Sequence, residues 1–221
     1  MSPLGITLGV LARSWSGYYP VPPPAGGLLM NLDGADPSSY PGTGTTWFDL
    51  SGNGYDWTFV GPFSFSSGVF NLSGTAGPYP GITRIEKNFG SVPAFGAGPL
   101  TFFVRAKTLD PNAVTLCSST TSTYAGAYSS TNGFYHTNAG SPYLYVDGVA
   151  STDLFADFAD GSWHVVEIGN LDLSHVAWSA YMFNAYSFSG FNFSTVEISN
   201  LLMYDKNLTA PERAALIASL P

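Results

Sequence analysis

An all-β protein, built as a two-sheet antiparallel sandwich with a short C-terminal helix, is the fold this sequence predicts, and three observations predict it. Short runs rich in β-branched and aromatic residues recur along the chain. Between them stand Gly, Pro, Asn, Asp and Ser, which supply positive φ, fixed φ or side-chain bonds back to the backbone in turns. Only one segment, near the end, reads as a helix.

The strand runs, in order, are Leu28–Leu32, Asp56–Val60, Gly68–Leu72, Leu100–Lys107, Ala113–Cys117, Tyr143–Val146, Trp163–Ile168, Val176–Phe183 and Thr195–Tyr204. Parity is clean at Thr101–Lys107, where Phe102, Val104 and Ala106 fall on one face and Phe103, Arg105 and Lys107 on the other. Asn31 to Gly54, NLDGADPSSYPGTGTTWFDLSGNG, is loop chemistry around one buried-type aromatic, Trp47. The Ser/Thr/Tyr-rich stretch from Thr120 to Gly140 reads as a surface hairpin. Thr209-Ala210-Pro211-Glu212 is a capping box with Pro in the first turn, and Ala214, Ala215, Leu216, Ile217 and Leu220 give the helix its apolar side.

Pro20–Gly27 marks a boundary, since consecutive prolines form a stiff extended segment and the glycines end it flexibly. Residues 1–27 are therefore an apolar arm and linker, and residues 28–221 the body. In the arm Leu4, Ile6, Leu8 and Val10 alternate with strand period, followed by Trp15, Tyr18 and Tyr19. Two readings stand equal: a terminus or strand laid over its own domain, or an anchor that buries these groups in a partner protein.

Composition excludes several functions. The apolar share of 45% suffices for a core, while charged residues are only 10%. A net charge of −8, a pI near 4.5 and seven scattered basic residues argue against nucleic acid, whose phosphates need clustered Lys and Arg. The single cysteine, Cys117, rules out an intrachain disulfide and a cysteine-based metal site, and reads as a small buried hydrophobe. No apolar run approaches the ~18 residues of a membrane span, so the expectation is a soluble protein. The leading segment lacks a basic start and is broken by Pro3, Gly5 and Gly9, unlike a secretory signal.

Three segments together carry a resemblance. They are Pro37–Gly54; Tyr143-Leu-Tyr-Val-Asp-Gly148 with Asp160-Gly-Ser-Trp-His-Val-Val166; and Val196–Glu212, which holds a closing strand and a helix entry. In order and spacing they resemble the concanavalin A-like superfamily, in the laminin G-like branch found in phage virion and bacterial surface proteins. The resemblance implies a jelly roll of two curved sheets. It also implies a non-enzymatic virion protein, a capsid decoration or head or tail fibre subunit, made in the host cytoplasm and displayed on the particle. Its arm would hold other virion proteins, and self-association into a homo-oligomer is compatible with its many aromatics. A carbohydrate-binding adhesin is the alternative, and a divergent glycoside hydrolase the third.

Hydrolases of that superfamily place carboxylates at alternate positions of one strand, E-x-D-x-x-E. This chain has four glutamates, Glu86, Glu167, Glu197 and Glu212, and neither Glu-Ile-Gly-Asn at 167 nor Glu-Ile-Ser-Asn at 197 supplies the partner. His136, His164 and His175 lie in no nucleophile-elbow context, and His164 beside Trp163 reads as a packed or hydrogen-bonded histidine. No catalytic residue is expected. Sugar stacking would fall to Tyr124, Tyr128, Phe134, Tyr135 and His136, or to Tyr181, Phe183, Tyr186 and Phe188, although filling the core or mating with a neighbouring subunit is the stronger reading of these aromatics. Asp33, Asp36 and Asp49, with Asp56 close by, are candidate calcium ligands, set against the reading that they build Asx turns.

Overall fold

A computed structural model of the chain describes residues 26–72, 83–90, 99–108, 115–117, 126–130, 133–137, 140–171, 178–182 and 196–221. The proposed arm, Leu4 through Tyr19, lies outside these residues, as does Tyr124. The strands are β1 Leu28–Asp33, β2 Thr46–Trp47, β3 Trp57–Val60, β4 Ser64–Ser66, β5 Val69–Leu72, β6 Arg84–Gly90, β7 Leu100–Thr108 and β8 Thr115–Cys117. They continue with β9 Gly126–Ser130, β10 Gly133–Thr137, β11 Gly140–Val146, β12 Val149–Ser151, β13 His164–Leu171, β14 Trp178–Met182 and β15 Val196–Tyr204. Two helices are present among them, α1 Leu154–Phe158 and α2 Ala210–Ser219.

Among the described residues all pairings are antiparallel, and they form three sheets. The largest runs β12-β11-β13-β7-β15-β5-β4, with β1 also on β15. A four-stranded sheet, β14-β6-β3-β2, faces it, and β10-β9-β8 forms a small third sheet. One edge of β15 is thus shared: β1 pairs with Asn200–Tyr204 and β5 with Val196–Ile198. Ser199 sits at a bulge between the two stretches, and its carbonyl accepts the Gly34 N–H where β1 ends.

The two large sheets enclose an aromatic core. Phe70 of the large sheet packs 4.3 Å from Phe59 and 4.6 Å from Trp47 of the facing sheet, centroid to centroid, with Tyr40 edge-on at 4.8 Å. Met30, Leu32, Phe102, Val104, Val166, Ile168, Leu201 and Met203 continue the same apolar face. The opposite face of the sheet is covered in part by α2, where Leu216 and Leu208 pack on Phe103, Val165, Leu202 and Tyr204. The parity expected at Thr101–Lys107 is therefore observed: Phe102, Val104 and Ala106 join the inner core, and Phe103 on the other face joins the layer under α2. Glu212, the third helical residue, reaches back to accept the Thr209 N–H, as in a capping box, and also accepts the Thr209 hydroxyl.

Each expected strand is present within a few residues, and the 120–140 stretch contributes the β9–β10 hairpin. The elements the sequence did not show are β2, β4, β6, β12 and α1. Several are two to five residues long, too short for periodicity to register. Among the described residues no helix is long and apolar enough to cross a membrane.

Candidate functional site

The aspartates of the opening loop build backbone. Asp49 accepts from the N–H groups of Asn31 and Ser51 with one oxygen, and from the Tyr55 N–H and Ser51 hydroxyl with the other. It thereby folds Ser51–Tyr55 back on itself and clasps the loop to β1. Asp33 accepts the Ala35 N–H and Asp36 the Ser38 N–H, both as Asx turns. Burial pushes the Asp33 carboxyl above its ordinary value. Among the described residues no group of three or more His, Cys, Asp or Glu side chains could hold a metal ion. The oxygens of Asp33, Asp36 and Asp49 thus serve separate turns, the arrangement that the Asx-turn reading of these aspartates expects.

His164 is held at both ring nitrogens. Nδ1 lies 2.7 Å from Asp147 Oδ2 and Nε2 lies 3.0 Å from Asp160 Oδ1. Asp147 occupies the β11–β12 turn with Gly148, both at positive φ, and its other oxygen accepts the Val165 N–H. Partial burial opposes the charged ring, but the bonds to Asp147 and Asp160 outweigh it and raise the histidine above its usual value. A ring clamped by two carboxylates is a staple between a hairpin and a loop, with neither nitrogen open to a substrate.

The two glutamates of interest lie on one face of the large sheet and far apart. Glu167 stands opposite Phe103 and Glu197 opposite Lys107, on the strands flanking β7. Strand rise and spacing put their Cα atoms roughly 17 Å apart. Acid and nucleophile pairs in glycosidases sit about 5–9.5 Å apart. Glu197 pairs with Lys107 at 2.9 Å. Beside that pair, Arg105 lies 4.4 Å over the Trp163 ring and bonds the Ser199 hydroxyl.

Glu167 is 1% exposed and is gripped by Arg213 of α2 through two hydrogen bonds, one from Nε and one from a terminal nitrogen at 2.8 Å. Tyr143 donates its hydroxyl to Glu167 Oε1 at 2.9 Å. Burial and the neighbouring Glu167 charge push this phenol up to about 12, away from a reactive phenolate. Arg213 also stacks on Tyr145, 3.9 Å from the ring centroid, and Tyr145 meets Tyr143 edge-on at 5.3 Å. Position 169 must be glycine for this to fit, because a Cβ there would be 2.1 Å from the Tyr143 ring.

In register, Tyr145 faces Glu167 on one side and Ala150 of edge strand β12 on the other. The small Ala150 leaves a shallow hollow of about 350 Å³, lined by Pro142, Tyr143, Leu144, Tyr145, Ala150, Ser151 and Thr152. Sequence reasoning missed this constellation. The available signals were an arginine set among the apolar positions of the terminal helix and a glutamate inside an otherwise apolar strand run.

Of the sugar-stacking candidates, Tyr128 and Tyr135 are brought directly opposite each other in the β9–β10 register. Phe134 pairs with Ser129 and His136 with Ala127. Tyr181 lies in β14, paired with Glu86. Phe183, Tyr186 and Phe188 fall outside the described residues.

No protein-family model and no curated protein matches the sequence. Solved structures do match in fold. A receptor binding domain matches with a TM-score of 0.57 at 9% identity, over 87% of this chain and 51% of that one. The binding domain of botulinum neurotoxin DC, in complex with rat synaptotagmin II, gives 0.55 at 10% identity, over 87% and 52%. Trypanosoma rangeli sialidase in complex with 2,3-difluorosialic acid gives 0.53 at 16% identity, over 89% and 33%. The chain thus spans about a third to a half of the length of these structures. At such identities the likeness is one of fold, and the fold shared is the antiparallel β-sandwich.

Proposed function

We propose that this chain is a non-enzymatic display module: a lectin-like, laminin G-like sandwich carried on the surface of a virus particle of the tailed-phage kind, where it recognises carbohydrate. One observation carries the non-enzymatic part. Glu167 and Glu197, the carboxylates best placed for glycosidase chemistry, are each engaged by a basic residue and lie roughly 17 Å apart on the sheet face. The recognition part is supported by the sandwich fold, which the chain shares with a receptor binding domain and with a botulinum neurotoxin DC binding domain in complex with SialylT. The virion part rests on the resemblance of Pro37–Gly54, Tyr143–Val166 and Val196–Glu212 to virion laminin G-like domains. In this reading Leu4, Ile6, Leu8, Val10, Trp15, Tyr18 and Tyr19 anchor the arm to capsid or tail proteins.

A glycan array probed with the full chain, run beside a polysaccharide hydrolysis assay, tests the activity. Binding without turnover is expected; turnover abolished by Glu167→Gln or Glu197→Gln would make the protein a hydrolase. The display role predicts that a chain lacking residues 1–27 folds but fails to enter particles. Normal incorporation of that truncation would refute it.

A further inference from the structure

We propose that the hollow beside Tyr143 and Tyr145 is a subsite for one neutral hexose ring. The inference rests on the carbohydrate-recognition reading above and names a site and sugar class for it. Its volume, about 350 Å³, lies at the small end of ligand sites, where a single ring fits. Its wall combines two aromatic rings with the hydroxyls of Ser151 and Thr152. Apolar sugar faces stack on such rings, and hydroxyls at the margin pair with the sugar's own.

The rings are locked before any ligand arrives. Tyr143 is fixed by its hydrogen bond to Glu167 and by close approach to Gly169. Tyr145 is fixed by the Arg213 guanidinium on its face. Preorganised side chains lose little entropy on binding, which is what a shallow site needs to hold a small ligand. A buried ion pair adds little stability over an apolar pair of equal size, so orientation of these rings is a reason for its presence.

Charge selects the sugar class. The guanidinium nearest the hollow, that of Arg213, is occupied by Glu167 and the Leu208 carbonyl. The charged group bonded at the rim is Asp157, whose carboxylate accepts the Ser151 hydroxyl at 2.5 Å. A sialic or uronic acid would bring its carboxylate against another carboxylate. A neutral pyranose would instead find an additional hydrogen-bond acceptor.

The test titrates the full chain with methyl β-galactoside, methyl α-glucoside, methyl α-mannoside and sialyllactose, followed by NMR and calorimetry. At least one neutral glycoside should bind, at about millimolar strength, and Ala150→Trp should weaken it about tenfold or more by filling the hollow. Ala150 is exposed, so the variant should melt like the parent, and Tyr145→Ala should weaken binding in parallel. Neutral binding untouched by Ala150→Trp, or a preference for sialyllactose, would overturn the hexose subsite while leaving glycan recognition in place. A parent chain that binds no sugar here and no glycan on an array would overturn both.

Discussion

On its inner face the large sheet presents apolar side chains from Met30 to Met203, packed on the aromatics of the facing sheet. On its outer face the same strands carry Arg105, Lys107, Glu167 and Glu197, each matched across a strand or by α2. The inner face gains stability from area removed from water, a force without direction. The outer face gains direction: a bidentate arginine fixes where a glutamate, a helix and two tyrosine rings sit, at small net benefit to stability. Substitutions should therefore report area on one face and pairing on the other.

The largest effect should come from Phe70→Ala, at the meeting point of Tyr40, Trp47, Phe59 and Phe65. A loss of about 4 kcal/mol in urea unfolding is expected for so large a cavity. A loss below about 1 kcal/mol would mean that the aromatic layer is loosely packed. Next comes the ion pair. Arg213→Met alone should cost about 3 kcal/mol, since it leaves the Glu167 carboxylate buried without its partner. Joined to Glu167→Leu it should return to within about 1 kcal/mol of the parent. Equal losses in single and double variants would break the contrast between the faces.

The smallest effect concerns His164 at the start of β13. Its folded-state value is raised, so its contribution to stability is complete below the unfolded value of about 6.5 and is lost as pH rises through the folded one. Asp160 is lowered by its bond to His164, so its share is present above the ordinary carboxylate value and fades as pH falls through the lowered one. The clamp is thus strongest between about pH 4 and 6.5. Melting scans should show the parent losing stability from pH 6 to 8 relative to His164→Gln. Parallel curves would dismiss the clamp.

Much of the inner face was legible from residue order alone. Alternation placed Phe102, Val104 and Ala106 together on one face of β7, the face that joins the inner core, and the capping box at Thr209 placed the terminal helix. The turn-building role of Asp49 was legible as loop chemistry, though not its grip on Asn31, which depends on the path of β1. The outer-face cluster was not legible, because Tyr143, Glu167 and Arg213 come from separate elements that only tertiary pairing brings together. The hollow was hidden for a related reason: it exists because Ala150 is small opposite Tyr145, and that register is set by the Asp147-Gly148 turn.

The divided edge of β15 has a consequence for how the protein is made. Leu32 pairs with Leu201, Phe70 with Ile198, and Ala106 with Ile198 from the other side, so strands emitted early share one late partner. On the ribosome, at about 5–20 residues per second, β1 and one edge each of β5 and β7 must wait several seconds or more unpaired before β15 appears. Such distant pairings also place folding in the slow, millisecond-to-second regime of β-rich domains. A nascent chain stalled before Val196 should therefore be a client for chaperones and a seed for aggregates, whatever the finished domain binds.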